Sequence, residues 1–101
     1  MKCYRYDDVS YESGPKIILS TFKVIKETPC GWWIIQQWGD WCTPDEDKRW
    51  VSKIARKRYA YPTKEEAMIS FTARKTRQLS FLKAQTSYVE EILDLIEDYE
   101  I

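Results

Sequence analysis

The hydrophobic pattern of this chain changes period once. Up to residue 62, apolar residues come in short runs rich in β-branched and aromatic side chains. From Lys64 onward there is neither Gly nor Pro, and apolar residues recur at helical spacing. In the first half, Lys16 to Lys26 (KIILSTFKVIK) follows a Gly14-Pro15 break and reads as a strand. Thr28-Pro29-Cys30-Gly31 places Pro second and Gly fourth, which suits a type I turn. Gly31 to Trp38 (GWWIIQQW) is apolar on both faces and reads as a central strand. Gly39 to Asp47 reads as a loop with Gly, Pro and an acidic run. Lys48 to Ile54 (KRWVSKI) alternates and reads as a third strand, and Tyr4 to Tyr6 as an added edge strand. Short connections favour an antiparallel meander.

The second half opens on Tyr61-Pro62-Thr63-Lys64-Glu65-Glu66. Thr63 can cap a helix and Glu66 stands three residues later, a capping-box pattern. Steps of 100° align Ala67, Phe71, Gln78, Leu82, Val89, Ile92 and Ile96 on one stripe. A helix from Lys64 to Tyr99 would be roughly 54 Å long, against about 33 Å across for a compact domain of this size. It must therefore run on beyond the sheet or break. Ser87-Tyr88-Val89-Glu90, a second capping-box pattern, is the candidate break; the lack of a helix breaker favours continuity. The expected fold is α+β: an antiparallel sheet of three to four strands followed by one long or kinked C-terminal helix. One domain, 1–101, holds a sheet region 1–62 and a helical region 63–99.

Charge sharpens this picture. Formal net charge is zero, but residues 48–83 hold eleven bases against two acids, a net +9. Residues 84–101 hold six acids and no base, and residues 1–47 hold five bases against eight acids. Segregation of this kind bears on partners rather than on fold.

Candidate chemistry is sparse. The chain has no His, which removes the commonest general base and metal ligand. It has no Gly-rich phosphate loop, no HExxH and no paired-Cys spacing. The carboxylates of the last helix fall mostly opposite its apolar stripe, as on a solvated face. No catalytic residue, metal site or cofactor is expected. Cys3, Cys30 and Cys42 are an odd set and read as reduced thiols of a cytoplasmic protein. Met1 to Val9 lacks the apolar core of a secretory signal. The longest apolar run, Trp32 to Ile35, is far short of a membrane span, so no membrane partner is expected.

Three surfaces remain as candidates. Lys48 to Tyr61 (KRWVSKIARKRYAY) interleaves cations with Trp50, Tyr59 and Tyr61, a mixture suited to single strands or RNA. Arg56, Lys57 and Arg58 are its densest cations, with Arg74, Lys75 and Arg77 following on the helix. The bland alternative packs Trp50 and Val51 into the sheet. Five tryptophans fall between residues 32 and 50, too many to bury readily in one small sheet. Trp38, Trp50 and above all Trp41, in its Gly-Asp-Trp-Cys-Thr-Pro loop, are candidate partner anchors. Val89, Ile92, Leu93 and Ile96 would form a self-association face, giving a homodimer with acidic ends set against the basic Arg74 to Lys83 half.

The segments Lys48 to Lys53 (KRWVSK), Lys57 to Ala67 (KRYAYPTKEEA) and Ala73 to Gln78 (ARKTRQ) resemble a group of small bacteriophage and prophage proteins. These place a Trp-rich strand before such a turn and a basic helix. The resemblance covers about half the chain and transfers no catalytic residue. It implies a phage accessory protein in the bacterial host cytoplasm. Small phage proteins of this size often inhibit host defence systems by binding, anti-CRISPR proteins among them. The expected function is therefore non-catalytic inhibition of a host protein complex through protein–protein contacts. The alternative is a nucleic-acid-binding regulator using residues 48–77.

Overall fold

The computed structural model describes residues 1–100. The elements are β1 (Lys2–Tyr11), β2 (Gly14–Glu27), β3 (Gly31–Trp38), β4 (Trp41–Cys42), a 3-10 turn at Asp45–Asp47, β5 (Arg49–Ser52) and α1 (Lys64–Glu97). The fold is α+β, a fully antiparallel sheet followed by one long helix.

The sheet departs from a simple meander at its end. β1, β2 and β3 pair in chain order, and both β4 and β5 pair with β3. Because β2 occupies one edge of β3 over Trp32 to Gln37, β4 and β5 share the other. They act as two pieces of one interrupted strand. The break has a local cause: Pro44 has no N–H to give a ladder, and Thr43 takes over at Gln36. The Thr43 N–H donates to the Gln36 carbonyl at 2.9 Å, and the Gln36 N–H to Thr43 Oγ1 at 3.0 Å. The stretch expected as a plain loop, Gly39 to Asp47, thus holds a short strand and a 3-10 turn. β1 is also longer than the Tyr4 to Tyr6 expected, and β5 shorter than Lys48 to Ile54. Around Pro29-Cys30, Thr28 and Gly31 exchange backbone hydrogen bonds. Cys30 does not take a positive φ, in keeping with a type I turn.

Register assigns the faces. Cys3 pairs with Phe22, Val24 with Ile34, and Trp32 with Val51, so all six side chains share one face. Cys3, Phe22, Trp32, Ile34 and Val51 are buried there together with Ala60. No residue of the helix belongs to this core. The cover is the connection after β5. Ser52 Oγ accepts from the N–H groups of Ile54 and Ala55 and turns the chain. The chain then crosses the face, setting Tyr59 edge-on to Phe22 with ring centroids 5.6 Å apart. It reaches the far edge at Tyr61, which exchanges backbone hydrogen bonds with Tyr4 of β1.

Gly31 shows how tightly β5 closes. A Cβ there would run into the Val51 carbonyl oxygen and lie 2.7 Å from two ring atoms of Trp50. Trp50 lies across the glycine, and no larger residue fits beneath it.

The opposite face carries Tyr4, Tyr6, Lys23, Ile35, Trp33 and Trp50 by the same register. The opening turns of α1 lie on it near β1: Phe71 is 6.4 Å from the Tyr6 ring, and the Lys64 ammonium is 5.6 Å from that of Tyr4. Thr63 caps the helix, its Oγ1 accepting the Glu66 N–H at 3.2 Å. The helix runs unbroken through Ser87. Of the stripe read from the sequence, Ala67 and Phe71 are buried; Gln78, Leu82, Val89, Ile92 and Ile96 are exposed.

The chain divides into two compact units, Met1–Phe71 and Thr72–Ile101. Among the described residues no helix is long and apolar enough to cross a membrane.

Candidate protein-binding surface

The basic-aromatic stretch spends most of its side chains on the fold. Tyr59 takes the guanidinium of Arg49 at 3.8 Å and that of Arg5 at 4.5 Å from its ring centroid. Arg5 also donates to the Tyr59 carbonyl at 2.9 Å and to Asp7 at 3.0 Å. Lys48 sits 5.0 Å from the Trp33 ring. Lys53 sits 5.5 Å from Trp32 and donates to Glu27 at 2.9 Å. The same Glu27 oxygen accepts from the Trp32 indole N–H. The Lys53 hydrogen bond and charge, with the indole bond, hold the Glu27 carboxyl below its usual range. Arg58 donates to the Ala55 carbonyl and lies 5.6 Å from the Tyr61 ring. These are cation–π distances: Arg5 and Arg49 fasten the crossing segment to the sheet through Tyr59, Lys48 and Lys53 lie over rings of β3, and Arg58–Tyr61 lies within the crossing segment itself. A ring already faced by a guanidinium has less surface for a base. Arg56 and Lys57, at the bend, are exposed.

Trp50 is 43% exposed on the face of Gly31. On the helix, Arg74 and Lys75 are partly buried and Arg77 is exposed. Lys75 donates to Gln78 and Arg77 to the Ala73 carbonyl.

Trp38 and Trp41 stand differently. They are direct cross-strand partners closing the β3–β4 hairpin, so both rings leave the same face. Gly39 has φ 57° and Asp40 is not in the positive region, the pattern of a type II′ turn, which needs glycine first. The Gln37 amide donates to the Gly39 carbonyl at 3.1 Å and braces the turn. Trp38 is 55% and Trp41 80% exposed. A rigid two-residue turn thus presents two indoles side by side. Asp40 lies between them and Asp45, Glu46 and Asp47 follow shortly after, all exposed. In sequence the aromatic pair is followed by this acidic run and then by the exposed cations Lys48 and Arg49, while Arg56 and Lys57 belong to the crossing segment.

A further set of exposed apolar residues was not expected from the sequence. β2 pairs with β3 only from Thr21 onward, whereas it pairs with β1 as far as Gly14. The β1–β2 hairpin therefore continues as a two-stranded ribbon with Ile17, Ile18 and Leu19 exposed. The length of the KIILSTFKVIK run, compared with the eight residues of β3, was the available signal.

The thiols divide by environment. Cys30 and Cys42 are exposed and Cys3 is buried; all three are free. Burial pushes the Cys3 thiol up to about 11. Among the described residues no cluster of His, Cys, Asp and Glu could hold a metal ion. No family model, curated protein or solved structure matches this chain.

Proposed function

We propose that this protein is a non-catalytic binding module that docks on a protein partner through its β3–β4 hairpin. The observation that carries this reading is the Trp38–Trp41 pair, held by a type II′ turn with Asp40 in it and followed in sequence by the acids 45–47. Large, preorganised aromatics are the side chains that dominate protein interfaces, because they bury much area at little entropic cost. Asp40, Asp45, Glu46 and Asp47 select the partner. They repel phosphate and favour an apolar pocket with a basic rim. The resemblance to small phage proteins supplies the setting: a phage accessory protein that inhibits a host defence complex, in the manner of anti-CRISPR proteins, by occupying such a pocket.

The competing reading, direct nucleic-acid binding, draws on Arg56, Lys57, Arg77 and the other cations of residues 48–77. Two measurements separate them. In co-purification from an expressing bacterial host, the protein reading expects a stoichiometric protein partner that survives nuclease. That partner is lost with Trp38→Ala/Trp41→Ala and retained with Arg56→Ala/Lys57→Ala/Arg58→Ala. In a gel shift, nucleic-acid binding below about 1 μM at physiological salt, abolished by the triple change and indifferent to the tryptophans, would establish the other class.

A further inference from the structure

The unit Thr72–Ile101 carries a segregated charge pattern. After Lys83 the charged residues are all acids: Glu90, Glu91, Asp94 and Glu97 in the helix, and Asp98 and Glu100 just beyond it. Glu90 and Asp94 are like charges four residues apart, and Glu91 and Asp94, then Asp94 and Glu97, are three apart; such pairs destabilise a helix. The same acids crowd the negative end of the macrodipole, where cations are wanted, and the last turn holds no base. The preceding turns have the reverse bias, with Arg74, Lys75, Arg77 and Lys83 and no acid from Ala67 to Val89. One helix thus holds a basic segment and an acidic segment of similar length.

An apolar seam joins them. Leu79, Leu82, Thr86, Val89, Leu93 and Ile96 follow one another at alternating spacings of three and four, the a/d repeat of a coiled coil. The five aliphatic members are between 49% and 61% exposed. The seam spans about 26 Å of continuous helix. Ile92 lies beside it and widens it.

We infer that this seam pairs with the same seam of a second copy, antiparallel, about a two-fold axis near Ser87. In that register Leu79 meets Ile96 of the second copy, Leu82 meets Leu93, and Thr86 meets Val89; symmetry repeats each contact. Lys83 then lies beside Glu90 of the other chain, both at the e positions that flank the seam. Each acidic segment receives the basic segment that its own helix does not supply. A parallel pair would set acids against acids, which selects the antiparallel arrangement. The inference is independent of the tryptophan hairpin.

The test uses the full chain with Cys30→Ser and Cys42→Ser, which removes the exposed thiols. Leu79→Cys and Ile96→Cys proteins are mixed and oxidised, and the expected product is the 79–96 crosslink. In sedimentation at about 10 μM and low salt the unmodified chain is expected to be a dimer, and Val89→Asp/Leu93→Asp a monomer with native Trp fluorescence. Lys83→Glu and Glu90→Lys should each raise the dimer Kd roughly five- to tenfold, and the two together should restore it. A monomer at 100 μM, a predominant 79–79 crosslink, or failure of the double reversal to restore Kd would each overturn the inference.

Discussion

Residues 1–71 and 72–100 solve the burial problem in opposite ways. In the first unit β1, β2, β3 and β5 each place part of their apolar side in a shared core, and the connection after β5 seals it with Tyr59 and Ala60. In the second, every residue from Thr76 to Glu100 is exposed, although the segment is at least as regular in pattern. The difference teaches that periodicity signals a face, not its occupant. A sheet brings several faces together within one chain. A lone helical segment has no second face of its own to bury against, and short isolated helices are marginal in water without one. Its apolar seam therefore points to association, whereas the core residues point to folding.

The largest effect should come from cutting the core. Ile34 is 1% exposed, and Ile34→Ala should cost about 3–4 kcal/mol through lost transfer energy and a cavity. Ile96→Ala should leave the same transition within about 0.5 kcal/mol while weakening self-association. Urea melts followed by Trp fluorescence make this comparison cleanly, because all five tryptophans lie between residues 32 and 50. Equal losses from both changes would abolish the distinction between the units.

Gly31→Ala should cost about 2 kcal/mol. The new methyl must displace the Trp50 ring and push against the Val51 carbonyl, so the melt should be accompanied by a shifted emission maximum. A neutral substitution would mean that β5 closes less tightly than its register implies.

Thr63→Ala should cost about 1 kcal/mol by removing the acceptor for the Glu66 N–H. Far-UV circular dichroism of the folded protein should show little loss of helix, since Ala67 and Phe71 still dock. Extensive helix loss would show that the cap, rather than those contacts, anchors α1.

The smallest effect concerns Cys3. Its thiol should resist maleimide at pH 8 while Cys30 and Cys42 react, a difference read by mass spectrometry. The same burial predicts a pH trend. An unfolded thiol loses its proton near pH 8.5, while the folded one keeps it to about 11. Between those values the unfolded chain binds fewer protons, so stability should fall as pH rises, and Cys3→Ala should remove that part of the slope. Equal labelling of all three thiols would show that β1 opens readily.

Local chemistry was legible in the residues. The Thr63 cap, the Pro29 turn, the central β3 and the unbroken helix follow from rules acting within a few positions: hydrogen-bond donors, fixed φ, alternation and the absence of breakers. So does the exposure of Trp41 beside a tight turn. What needed the tertiary structure was every decision between distant elements. Composition at Lys48 to Tyr61 shows cations and rings, but not that Arg5, 54 residues before Tyr59, joins Arg49 on the Tyr59 ring. Alternation shows that β3 has two apolar faces, but not that the chain after β5 would cover one of them in place of the helix. Only the register, with Pro44 splitting the last edge and the β1–β2 ribbon running past Thr21, decides which tryptophans are buried and which are presented. A side chain's environment is a sum over partners remote in sequence, and that sum exists only once the chain has folded.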